Sequence, residues 1–342
     1  MVYVCMRVRE GDLVEDLNGI IFDVKGLVHP SNLVVAFPRF IPDIEGDRKR
    51  GPTKYRKVYA LTARYELLEK RFPQYLVNDK VFGERLCEVP INSIKHHYRP
   101  IRRLQELRVS PQLDSLERRA LEFVSLLNES ANIPWDALGI SGSILAKLHT
   151  LTSDIDPIVY GSDDCRKVHS ALKLLLSEER SLAKPYRGEK ELRVLFDFRS
   201  KDTNTSFEDF VRTESRKVLQ GKYHRHDYFI RCVKDWNEIS EHYGDVEYFN
   251  VGYAKIKATV VDASEAIFTP CFYKIENVYV LEGTIVKPIS EIVSFRGRFC
   301  EQAEKGEAVV AQGKLERMRS KEGEEHFRLL LGNLPSDFMI LA

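Results

Sequence analysis

The stretch Ala137–Gly161, ALGISGSILAKLHTLTSDIDPIVYG, sets the tightest limits on the fold. Leu138–Ile140 is a short apolar run, Gly142 and Ser143 make a turn, and Ile144–His149 suits a helix. Asp154-Ile155-Asp156, followed by Ile158-Val159-Tyr160, reads as a second strand. Side chains alternate across a strand, so Asp154 and Asp156 share one face while Ile155 turns to the core. Two carboxylates side by side repel, and a hard divalent ion with oxygen ligands relieves that repulsion. Helical patterns flank the stretch. Ser110-Pro111 predicts a helix start, with Leu113, Leu116, Ala120, Phe123, Val124 and Leu127 in one stripe. Gly161 to Asp164 caps another, with Val168, Leu172 and Leu175 on one side.

A chain of 342 residues has room for two or three domains with real cores. No apolar run reaches bilayer length, and MVYVCMRVREGDLVED turns acidic too early for a signal peptide, so no membrane partner and a cytoplasmic location are expected. The six cysteines are scattered without a CxxC pair, which predicts reduced, mostly buried thiols. Charge is uneven: residues 1–110 hold 20 Lys and Arg against 14 Asp and Glu, although the whole chain is at +1. A basic N-terminal third suits a polyanion and equally a solvated surface.

Residues 1–110 read as a β-rich module, with runs at Gly19–Val24, Leu33–Phe37 and Lys57–Leu61, then a helix over Thr62–Arg71. Two basic patches stand out. Asp43–Lys57 carries Arg48, Lys49, Arg50, Lys54, Arg56 and Lys57, which fits a solvated hairpin tip or a phosphate-binding loop. Lys95–Arg103 mixes aromatics and cations, which fits stacking on nucleic acid or a charged linker. In the middle of the chain, Glu191–Phe198, His226–Val233 and Ala254–Asp262 read as strands and Ser206–Gln220 as a helix. From Pro270 onward, short strands at even spacing predict a small barrel or sandwich.

Ile140-Ser141-Gly142-Ser143, ten further residues, then Asp154-Ile155-Asp156 resembles the signature of the DNA polymerase beta-like nucleotidyltransferase superfamily. IIFDVKGLVHP, FTPCFYKIENV and SFRGRFC are similar to archaeal predicted nucleotidyltransferases of uncharacterised substrate. The resemblance implies an α/β (α+β) chain: a nucleotidyltransferase palm-like mixed sheet with helices over 111–265, after the module at 1–110 and before a C-terminal small β-barrel at 266–342. It implies Mg²⁺-dependent (or Mn²⁺-dependent) transfer of a nucleoside monophosphate from an NTP to an acceptor hydroxyl, with RNA or DNA as partner through the basic third. Asp154 and Asp156 are the implied metal ligands, and Gly142 and Ser143 the implied phosphate contacts, backed by the N-terminus of the following helix. Lys147, one turn on, is a candidate phosphate contact or a surface lysine. A third catalytic and metal-binding carboxylate is implied, with Asp227 ahead of Asp197 and Asp262. Pro157 replaces the aliphatic residue that the family prefers and predicts an irregular strand there. The alternative is a catalytically inactive protein of this fold acting as a nucleic-acid-binding module. His224, His226 and His242 lack companion ligands and read as a polar loop.

Overall fold

β-Branched and aromatic runs broken by Gly, Pro and Asn make the first part of the chain a sheet. The structure is a computed structural model describing residues 6–201, 203–286 and 288–342. The strands β1 (Leu13–Asp16), β2 (Ile21–Val24), β3 (Leu33–Pro42), β4 (Arg48–Arg50), β5 (Thr53–Lys57), β6 (Leu76–Asp79), β7 (Glu84–Pro90) and β8 (Ile94–Tyr98) share one sheet. Its order is β4-β5-β3-β2-β1-β8, with β7 also on β3 and β6 on β7. Helix α1 (Leu61–Arg71) covers one face, burying Leu68 with Val14, Phe22, Val24 and Val89.

The second basic patch divides between β8 and the first turn of helix α2 (Pro100–Val109), with Pro100 at a first-turn position where a missing N–H costs nothing. Helix α3 (Ser115–Ala131) starts later than Ser110-Pro111 predicts. Asp114 is its cap and forms a capping box with Glu117, satisfying two orphan amides at once. Strand β9 (Leu138–Ile140) leads into α4 (Gly142–Leu145), a single turn rather than a helix over Ile144–His149. Lys147 lies at φ +55, in the left-handed region, so the helix does not continue.

Strand β10 (Pro157–Tyr160) begins at the proline, whose lacking N–H is tolerated at a first strand residue. Helix α5 (Ser162–Ser177) follows and buries Cys165, Val168, Leu172 and Leu176. Next, β11 (Ala183–Lys184), β12 (Gln220–Tyr223) and β13 (His226–Phe229) form a small antiparallel sheet. The predicted single strand His226–Val233 is two, because β14 (Arg231–Val233) leaves β12 and pairs parallel with β10. With β9 antiparallel on the other side, β14-β10-β9 is a mixed sheet, and α3 and α5 pack on it and on each other.

By compactness the chain forms two units. The first comprises Met1–Val77, Arg85–Lys184 and Leu219–Glu241; the second comprises Asn78–Glu84, Pro185–Val218 and His242–Ala342. Within the first, Leu145, Ala146 and Leu148 share a core with Leu13, Ile21, Phe40 and Tyr55, so the Gly-Ser segment rests on the large sheet.

In the second unit, Glu191–Phe198 is not a strand but most of helix α6 (Glu189–Arg199). Leu192, Leu195 and Phe196 fall at helical spacing and pack on Phe207, Phe210 and Val211 of α7 (Phe207–Glu214), which ends well before Gln220. Then β15 (Val246–Asp262), β16 (Cys271–Gly283), β17 (Ile289–Ser294), β18 (Ala308–Ser320), β19 (Glu325–Leu331) and β20 (Phe338–Leu341) pair in the order β15-β16-β17-β19-β18-β20. Strand β18 also returns to β15, so the pairings run in a closed ring around Ile256, Tyr273, Ile292, Val309 and Leu329. That ring starts at residue 246, upstream of position 266. The chain is thus mixed α/β. Among the described residues no helix is long and apolar enough to cross a membrane, and Cys87, Cys165, Cys232, Cys271 and Cys300 are buried thiols outside any disulfide.

Candidate functional site

Ser141 ties three segments of the first unit together. Its Oγ donates to the Gly11 carbonyl at 2.6 Å and its N–H to the Asp156 carbonyl at 2.8 Å. Nothing in the sequence around Gly11 signals this partnership. With the Asp156 backbone fixed there, its carboxylate comes down on the next residue of the turn. A Cβ on Gly142 would lie 1.9 Å from Asp156 Oδ2, and Gly142 also sits at φ +61, so two independent constraints demand glycine. Ser143 is buried, and its Oγ has no hydrogen-bond partner among the described residues. A buried hydroxyl left without a partner is costly, which marks the position as one awaiting an acceptor or donor.

The two aspartates are held by Ile155, which is fully buried and bridges to Tyr228 in parallel register. The Ile155 N–H donates to the Asp227 carbonyl at 2.9 Å, and the Phe229 N–H donates to the Ile155 carbonyl at 3.1 Å. Asp154 is the more open of the pair, with Lys57 Nζ 3.9 Å from its Oδ1. Burial, then the neighbouring Asp154 charge, push the Asp156 carboxyl up to about 7 against the pull of Lys57, Arg231 and Arg39. Burial is the larger cause, and the repulsion between the two carboxylates adds to it.

The charges that face Asp156 come from the large sheet as well as from β14. Arg231 lies 3.1 Å from Glu10 and 3.9 Å from Asp23. Burial alone would raise Asp23, but Lys25, Arg231 and Arg39 outweigh it and hold that carboxyl well below the usual range. Arg39 directly precedes Phe40, the residue that pairs with Lys57 across the β3–β5 ladder. The sequence showed Lys57 only as one cation of a basic loop, and gave no signal for Arg39 or Arg231.

The remaining candidates are placed as follows. The Asp227 side chain faces Lys222, its cross-strand partner, with Nζ to Oδ1 at 3.8 Å. Lys147 points to Glu106 at 3.6 Å. Asp197 lies on α6 and Asp262 at the end of β15, where it accepts from the Ser264 N–H at 2.8 Å; both belong to the second unit. In the first basic patch, Arg48 donates to the Leu148 carbonyl at 2.7 Å and Arg50 pairs with Glu15 at 2.8 Å, so both are structural. In the second, His97 pairs with Asp12 at 2.7 Å, and Arg103 spans Glu117 and the Ile144 carbonyl. A further acidic group, Asp114, Glu117 and His149, is already occupied by the α3 capping box, by Arg103 and by the His149–Asp114 contact at 2.6 Å.

As donors for a divalent ion, Asp154 and Asp156 fit: they are two carboxylates whose mutual repulsion a cation relieves. A third carboxylate is not among the groups acting most strongly on Asp156.

Fold and site together define a two-unit mixed α/β protein with an aspartate pair seated on a Gly-Ser turn. The chain is 33% identical over 341 residues to Uncharacterized protein MJ1086 of Methanocaldococcus jannaschii, covering 97% of this chain and 98% of that protein, and it belongs to the family of that protein. No family model matches the chain. No solved structure matches it either.

Proposed function

We propose that this protein is a divalent-metal-dependent nucleotidyltransferase that moves a nucleoside monophosphate from an NTP to an acceptor hydroxyl on a nucleic acid. The observation that carries this reading is the meeting of Gly142 with Asp156, which joins the phosphate-binding turn and the aspartate pair in one place. The mixed sheet β14-β10-β9 with α3 and α5 supports a palm-like reading of the centre. In the reaction the acceptor hydroxyl gives up its proton to water and its oxygen bonds to the α-phosphorus while the bond to the leaving pyrophosphate breaks. Gly142 lets a phosphate approach the backbone, and Ser143 offers it a hydroxyl. Lys57 and Arg231 offset negative charge near the reacting phosphorus. Asp154 and Asp156 would hold Mg²⁺, which would supply charge neutralisation and a lower pKa for the acceptor hydroxyl.

A second reading, a nucleic-acid binder without catalysis, is favoured by one observation: three cations and no third carboxylate act most on Asp156 beside Asp154. Incubation with labelled NTPs, Mg²⁺ or Mn²⁺ and mixed RNA and DNA acceptors separates the two. The transferase reading expects label transfer that Asp154→Ala and Asp156→Ala each abolish. Absence of transfer, with nucleic-acid binding unchanged in both variants, selects the binder instead.

A further inference from the structure

Beside the aspartate pair, the β3–β5 ladder of the large sheet carries a second constellation, of which the reading above uses only Lys57. The Lys57 side chain is only 6% exposed, yet its ion pair with Asp154 is 3.9 Å long, beyond hydrogen-bond reach. Among the described residues its ammonium makes no hydrogen bond. An ammonium has three donors, and leaving them unfilled in a buried place is costly. The Arg39 guanidinium likewise makes no hydrogen bond and no ion pair among the described residues. Both cations instead lie against one ring, Lys57 Nζ at 4.6 Å and the Arg39 guanidinium at 5.0 Å from the centroid of Tyr59. Tyr59 is 45% exposed, in the short link that follows β5.

Two cations without hydrogen-bond partners call for an oxyanion, and guanidinium and ammonium donors suit phosphate. A half-exposed aromatic ring beside both adds a flat surface that a bare phosphate would not use. A ligand carrying a phosphate next to an aromatic base uses both. A base-paired duplex hides its base faces, whereas a single strand or a free nucleotide presents them.

We propose that Arg39, Lys57 and Tyr59 seat the terminal nucleotide of a single-stranded nucleic-acid acceptor, its phosphate between the two cations and its base against the tyrosine ring. This rests on the transferase reading only for the word acceptor: Gly142 and Ser143 take the triphosphate there, leaving this seat for the second phosphate-bearing substrate. The binding itself stands on the cations and the ring.

Fluorescence anisotropy with the full chain and end-labelled single-stranded RNA and DNA oligonucleotides tests it, without any turnover. Arg39→Ala and Lys57→Ala are each expected to weaken binding about tenfold and to lower the slope of log Kd against log salt by about 1. Tyr59→Ala is expected to weaken it about tenfold for a base-bearing end and not for an abasic one, while Tyr59→Phe keeps the parent affinity. Circular dichroism melts accompany each variant, and Lys57→Gln and Arg39→Gln replace any alanine variant that does not fold. Single strands that do not bind, or that bind the Arg39 and Tyr59 variants as tightly as the parent, overturn the proposal. Loss confined to free NTP overturns the assignment to the acceptor. Label transfer abolished by Asp154→Ala, together with undiminished strand binding in the seat variants, sinks the seat and leaves the transferase reading standing. Weakened binding in those variants without any transfer does the reverse.

Discussion

Asp156 is where sequence, geometry and chemistry bear on a single side chain. Its carboxyl is raised from 3.8 to about 7, first by burial and then by Asp154. Because the folded value exceeds the unfolded one, the folded state binds more protons across that window. Stability therefore falls as pH rises through it, and above about 7 the penalty is complete. Asp156→Asn removes the charge with little change of shape. Urea denaturation is expected to find the variant more stable than the parent by about 2 kcal/mol at pH 8, with no difference at pH 4. Added Mg²⁺ is expected to stabilise the parent at pH 8 and not the variant. Equal pH dependence in the two proteins defeats this account. At this scale the sequence was informative in part: Asp154 and Asp156 do flank a buried Ile155, but they precede the strand, which begins at Pro157, and Ile155 makes only a single bridge; the Gly-Ser turn flagged Gly142 and Ser143. It was silent on Arg39 and Arg231, because an isolated arginine in a strand carries no local mark of what the fold brings near it.

Among the elements, the clearest lesson comes from the ends of helices. The apolar stripe of α3 was legible from Leu116 to Leu127, but its start was misplaced at Ser110-Pro111, since a proline and a capping box both mark helix starts. The capping box won because Asp114 and Glu117 satisfy two amides between them. Asp114→Ala is expected to cost about 1 kcal/mol in denaturant titrations and to free His149 from its contact at 2.6 Å. A cost near zero would mean that the cap is dispensable. The error at Glu191–Phe198 has a different cause. ELRVLFDF alternates well enough for a strand, and only the partner helix α7, with Phe207 and Phe210, makes the helical face the one to bury.

For the whole molecule, pairing across long stretches of sequence governs what can fold alone. Strand β15 pairs with β16 along one side and with β18 along the other, so it contributes two ladders to the closed sheet. A fragment of residues 266–342 lacks that strand and leaves β16 and β18 with unpaired edges around an opened core. Such a fragment is expected to give poorly dispersed amide spectra and no cooperative thermal transition. A fragment of residues 242–342, which restores β15, is expected to regain strand signal in far-ultraviolet circular dichroism. Cooperative folding of the shorter fragment would show that the ring does not need β15. Both compact units are assembled from separated segments of chain, which composition and local periodicity do not register.

By itself the sequence determined the local grammar: the mixed α/β character, the amphipathic helices α3 and α5, the even run of late strands, and the aspartate pair beside a Gly-Ser turn. These follow from short-range rules of side-chain alternation, capping and turn chemistry. The tertiary structure alone decided which charges gather round that pair, that Ser141 ties Gly11 to Asp156, and that Asp227 turns to Lys222. The reason is physical: electrostatic and hydrogen-bond partnerships depend on distance in space, and residues such as Arg39, Lys57, Asp156 and Arg231 become neighbours only when the sheets are folded together.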